Sequence, residues 1–175
     1  DYAVAIGYGA GVTSQGENSI AIGRDAGLGL QGQNSVAIGP GAGTINQQNQ
    51  SIAIGTAAGN ETQQDYTVAV GFGAGLQNQQ EAAVAIGSKA GHITQGIGGV
   101  AIGNDAGYND QGNQAIAIGN QAGKLNQDTY AIAIGFEAGM TRQGIGGNDE
   151  REPWKPIAIG YNTGKTNQNQ AAIAI

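Results

Sequence analysis

Gly160-Tyr161-Asn162-Thr163-Gly164-Lys165-Thr166 is the stretch that most resembles a phosphate-binding loop. Such a loop cradles phosphates with backbone N–H groups between two glycines and opens into a helix. Here the glycines stand one residue too close, and a strand is expected to follow. Gly27-x-Gly29-x-x-Gly32 has the spacing of a dinucleotide fingerprint but lies in no βαβ unit. Two carboxylate pairs deserve a geometric test. Asp105 and Glu137 lie two sixteen-residue repeats apart. In stacked coils that is about 9.6 Å, the outer limit for an inverting glycosidase pair. Lys89, one repeat before Asp105, is a simpler partner for it. Asp65 and Glu81 share a register position on neighbouring repeats, which would suit a cation, but no repeated Asp ladder accompanies them. His92 is the sole histidine and has no fixed partner, so it reads as a surface residue. With no cysteine, thiol nucleophiles, disulfides and zinc-thiolate sites are all excluded. The reading is a non-enzyme with no catalytic, cofactor-binding or metal-binding residues.

What organises the chain is a repeat. Val or Ile opens a Val-Ala-Ile-Gly pattern at 4, 20, 36, 52, 68, 84, 100, 116 and 132, then at 157 and 173. Counting that residue as position 0, position 1 is always Ala and position 3 Gly in all ten complete repeats. Position 6 is Ala in nine of them, position 7 is always Gly, and position 11 is always Gln. Glycine is abundant (33 of 175 residues), yet a disordered tract has no need of a fixed register. Collagen is excluded because Gly does not fall at every third residue. Two fixed glycines per repeat oppose a helix, and strict Val-Ala-Ile alternation means strand. Sixteen residues suit one coil of an all-β, parallel β-solenoid: a strand near positions 15 to 3, a turn, a second strand near 8 to 12, and a closing turn. About ten coils at 4.8 Å each give a rod of roughly 48 Å. Residues 1–175 are read as a single solenoid section cut from a longer chain.

Alternation assigns faces. The large Val and Ile at positions 0 and 2 are expected inside the coil. The fixed glutamines Gln15, Gln31, Gln47, Gln63, Gln79, Gln95, Gln111, Gln127, Gln143 and Gln168 are expected to form an internal amide ladder. Ala21, Ala37, Ala53, Ala69, Ala85, Ala101, Ala117 and Ala133 would then form a flat outer strip. That strip never accepts a charged residue, which points to self-association through it, with closed symmetry as the usual outcome. The interval from Ile132 to Ile157 carries nine extra residues, placed at Asn148 to Pro156. This insertion loop holds two of the three prolines and the only tryptophan. Trp154, with Arg151 and Lys155, is its candidate partner contact. Turn aromatics Tyr8, Phe72, Phe136 and Tyr161 recur at position 4, covering the neighbouring coil. Asn49-Gln50-Ser51 and Asn60-Glu61-Thr62 are glycosylation sequons.

Asn18-Ser19-Ile20-Ala21-Ile22-Gly23 and Asn34-Ser35-Val36-Ala37-Ile38-Gly39 resemble the signature of YadA-like trimeric autotransporter adhesin heads. Similar repeats occur in phage and large-virus fibre proteins. The resemblance implies a left-handed parallel β-roll, a homotrimer, surface display on a cell or virion, and adhesion to a host receptor, glycan or matrix protein. The sixteen-residue coil, the Ala-Gly at positions 6 and 7 and the fixed Gln depart from the adhesin pattern. A net charge of −6 with seven Lys and Arg opposes a nucleic-acid partner. No apolar run approaches the roughly 20 residues that cross a bilayer, so no membrane contact is expected from this section. An ice-binding solenoid using the flat alanine strip is the alternative, and it lacks the repeated Thr expected of one.

Overall fold

The structure, a computed structural model, describes residues 2–144, 155–169 and 172–175. Among those residues every regular element is a β-strand. The Val-Ala-Ile triplets build one eleven-stranded parallel sheet in strict chain order, from Val4–Ile6 to Ile173–Ala174. Each residue pairs with its counterpart sixteen positions on, as Val84, Ala85 and Ile86 do with Val100, Ala101 and Ile102. The long interval keeps the register too, since Ile132 pairs with Ile157. The Gln positions form the opposite wall. A four-stranded sheet runs from Ser14–Gln15 to Thr62–Gln63, and a three-stranded one from Asn109–Gln111 to Thr141–Gln143. Single bridges through Gln63, Gln79, Gln95 and Gln111 connect the two. The chain is a parallel β-solenoid of about ten coils.

Two tight turns close each coil. In residues 84–99, the Ala90 N–H donates to the Gly87 carbonyl at 3.4 Å and the Gly99 N–H to that of Gly96 at 3.0 Å. The third residue of each turn has positive φ, 55° at Lys89 and 61° at Gly98, as a type II turn requires. Asn and Asp enter that region more readily than other side-chain-bearing residues, and Asn18, Asn34, Asp25 and Asp105 occupy these places. Glycine at position 3 answers a closer constraint. A Cβ on Gly87, at φ 127°, would lie 2.6 Å from the carbonyl oxygen of Gly103 in the next coil.

The alternation holds, but the faces are the reverse of those expected. Ala21, Ala37, Ala53, Ala69, Ala85, Ala101, Ala117 and Ala133 are 0% exposed within a single chain and pack with the position-6 alanines as the core. The Val and Ile at positions 0 and 2 point outward, with Ile54 38% and Ile86 39% exposed. The reason is room. The Gln95 side chain crosses the coil and donates from Nε2 to the Val84 carbonyl at 2.7 Å and the Gly99 carbonyl at 3.0 Å. Its amide lies on Gly91, where a Cβ would sit 2.6 Å from Gln95 Oε1 and 3.3 Å from the Ala85 methyl. With an amide spanning so narrow an interior, positions 1 and 6 hold methyl groups, apart from Thr163 in the last complete coil.

Gln95→Leu removes a buried amide together with its bonds to the Val84 and Gly99 carbonyls and is expected to destabilise the chain by about 2 kcal/mol or more. Thr94→Ala, one residue away on the outer side, is expected to stay within about 0.5 kcal/mol. Urea denaturation followed by circular dichroism checks both.

Candidate functional site

The glutamines do structural work. Besides holding their own coil, they bond along the rod axis. Nε2 of Gln63 donates to Oε1 of Gln79 at 3.3 Å, Gln79 to Gln95 at 3.3 Å, Gln111 to Gln127 at 3.2 Å and Gln127 to Gln143 at 3.2 Å. Gln31 donates to Gln47, and Gln143 to Gln168 across the long interval, each at 3.3 Å. The series is interrupted before Gln31, Gln63 and Gln111, whose Oε1 atoms are buried without a partner among the described residues. Gln15, half-buried in the first coil, donates to the Val4 carbonyl at 2.7 Å.

The titratable side chains are tied between coils. Asp105 pairs with Lys124 at 3.2 Å, which corrects the expected Lys89 partner, and Glu137 pairs with Lys165. Both pairs span the same diagonal slot, from position 5 of one coil to position 8 of the next. Neutral groups fill that slot elsewhere. Asn60 Nδ2 donates to the Gly41 carbonyl at 2.9 Å, and His92 Nδ1 meets that of Gly73 at 2.7 Å while its ring stacks on Tyr108. An Nδ1 facing a carbonyl oxygen carries the proton. Asp65 Oδ1 accepts the Asn49 N–H at 2.8 Å, so it serves the backbone rather than a cation. The sequons are occupied as well. Asn49 Oδ1 accepts the Gln33 N–H at 3.0 Å, and the buried Ser51 hydroxyl donates to Gln48. Gly164 of the phosphate-loop look-alike holds the Gln168 amide as its counterparts do. Phe136 and Tyr161 stack on adjacent coils at 5.2 Å.

Trp154 and Arg151 lie outside the described residues. Lys155 Nζ stands 3.7 Å from Asp128 Oδ2. Pro156, counted with the insertion from the sequence, takes the regular position 15. Its carbonyl accepts the Ile132 N–H at 3.0 Å, as the Ala131 carbonyl accepts that of Ile116 at 2.9 Å. The extra residues therefore enter the coil between Gly144 and Pro156.

The outer surface that remains is the row of paired aliphatic side chains along the eleven-stranded sheet. Residues 1–26 and 31–58 match the model of the YadA head domain repeat, in two copies. These two segments are similar to YadA-type head repeats. The later coils continue the same triplet, register and turns without a break. YadA-type heads are surface-exposed, trimeric structural modules. No curated protein and no solved structure matches the chain. Sequence reasoning missed the aliphatic row as the outer surface. The available signal was the invariance of Ala, Gly and Gln at positions 1, 7 and 11, with Ala in nine of ten at position 6, against free Val/Ile exchange at positions 0 and 2.

A carboxylate at Ala101 has no room and no partner. Ala101→Glu is expected to break its coil, lowering the β-signal in circular dichroism and opening the flanking strands to amide exchange. An exposed alanine strip would leave both unchanged.

Proposed function

We propose that this section is a stiff trimeric rod on a cell surface, displaying its outer turns and the 145–155 insertion for attachment to a host surface. The observation that carries the reading is the aliphatic face. Two columns of Val and Ile run unbroken along the whole sheet, while among the described residues the interior holds small residues (Ala, Gly, Ser, Thr and Pro156) and Gln. Contiguous apolar surface of that extent marks an interaction site. A partner that matches a row repeating at about 4.8 Å must carry the same period, and a second copy of the chain does. The trimeric state of YadA-type heads supports three copies. The interface assigned from the sequence to the alanine strip thus passes to positions 0 and 2. The ice-binding reading loses its surface, because the strip it needed is buried.

Sedimentation equilibrium is expected to give three times the 17.5 kDa chain mass. Ile86→Glu, which sets three carboxylates against one another in an apolar seam, is expected to yield folded 17.5 kDa monomers. A monomeric wild type, or an unchanged trimer carrying Ile86→Glu, would exclude this interface.

A further inference from the structure

Position 12 is glycine at Gly96 and Gly112, as it is at Gly16, Gly32 and Gly144, and the flanking coils carry Gln80 and Asp128 there. An open trough crosses the coils beside them. Its first part, about 240 Å³, is lined by Gln80, Thr94, Asp110, Asn113 and Thr129. Beyond Asp110 it continues into a second part of about 190 Å³, bounded by Asn126 and Asp128. From Gln80 to Asp128 it spans three coil spacings, about 14 Å. The floor is fixed by stacking: a Cβ on Gly96 would lie 2.6 Å from the Asn113 nitrogen, and one on Gly112 2.6 Å from the Asp128 carbonyl carbon.

The walls are held as well. Asn126 Nδ2 donates to Asp110 Oδ2 at 3.3 Å, Asn113 Oδ1 accepts the Ile97 N–H at 2.9 Å, and Asp128 Oδ1 accepts the Thr129 N–H at 2.8 Å. Among the described residues, the Thr94 and Thr129 hydroxyls and the Gln80 amide make no hydrogen bond to protein, so they face the trough with their capacity unspent. Side chains alternate across a strand. With Gln111 inside, Asp110 stands on the outer side of the second wall, away from the aliphatic sheet. Chains covering that sheet leave the trough open.

We infer that this trough is a binding site for a short neutral oligosaccharide. Its lining combines carboxylate acceptors with amides and hydroxyls that both donate and accept. Sugar hydroxyls, which also do both, satisfy such a lining. Phosphate and sulfate dianions only accept and would face two carboxylates, of which Asp128 alone has a cation beside it among the described residues, Lys155 at 3.7 Å. A bare divalent cation needs more oxygens than two carboxylates supply. The inference rests on the adhesive reading above and gives it a ligand class.

The test is a glycan array probed with the wild-type protein. It carries hexose- and N-acetylhexosamine-terminated oligosaccharides with their sialylated and sulfated counterparts, and the best neutral binder goes on to calorimetry. Position 10 tolerates any shape, since Leu30 and Arg142 occupy it in other coils. Thr94→Arg, which fills the trough, is expected to abolish binding. Asp110→Asn keeps the turn and is expected to weaken binding about tenfold, as loss of a charge-assisted hydrogen bond does. Ser14→Arg, at the same register position far along the rod, is expected to change nothing. Preference for the anionic glycans, or binding that survives Thr94→Arg, overturns the assignment. A trimer that binds no neutral oligosaccharide sinks the trough alone, whereas a monomer that binds one keeps the trough and sinks the trimer.

Discussion

One fit inside the coil governs everything else: a glutamine amide lying on a glycine, with a methyl group on either side. A two-walled coil turns backbone carbonyls inward at its corners, and buried carbonyls without a donor are costly. The Gln amide supplies donors from across the interior, to the carbonyls of residues 84 and 99 in the case of Gln95. It can lie there only because position 7 has no side chain. The same glycine needs positive φ, 51° at Gly91, so a single residue type meets both the steric and the conformational demand. Small residues at positions 1 and 6 are then what the gap admits, Ala throughout except for Thr163.

The outward aliphatic face is the consequence. A solenoid usually buries its branched residues and leaves small or polar ones outside, and this coil is too thin to do so. Its interior contributes hydrogen bonds and close packing but little apolar area per residue, against an ordering cost of about 1 kcal/mol or more for each residue fixed. The apolar area lies instead on Val and Ile, where about 25 cal/mol is gained per Å² only once another surface covers it. On the proposed trimer, covering that face adds to the stability of a coil already closed by its interior hydrogen bonds.

The period, the parallel pairing and the alternation could all be read from the sequence, because each follows from spacing alone. Which face lies inside could not. Alternation defines two faces and is silent about which is enclosed, and the ordinary rule that large aliphatic residues go inside fails when the enclosure is one amide wide. The charged pairs show a similar limit. Sequence register stacks Lys89 over Asp105, but the coils offset their corners, and Asp105 meets Lys124 on the diagonal. Asp65 looked like half of a cation pair and proves to cap the Asn49 N–H. The trough escaped notice because Gly96 and Gly112 are unremarkable as single letters. They matter only once Thr94, Asp110 and Thr129 stand around them.

The contacts that recur in every coil are made by backbone and interior side chains, while outer pairs such as Asp105–Lys124 differ from coil to coil, and this separates the invariant part of the sequence from the variable part. Leu30, Asp110 and Arg142 occupy the same register position without disturbing the Gln-bearing strand that follows each of them. Tyr66 and Tyr130 take the left-handed turn place held elsewhere by Asn, at φ 63° and 62°. Each residue so placed costs roughly 1–2 kcal/mol, and adjoining coils keep the turn closed around it. Even the long interval is absorbed at one corner, with Ile132 and Ile157 still paired. In such nearest-neighbour architectures a local change stays local. An outer surface can then be altered coil by coil while the same rod carries it, which is what display at a surface demands of a scaffold.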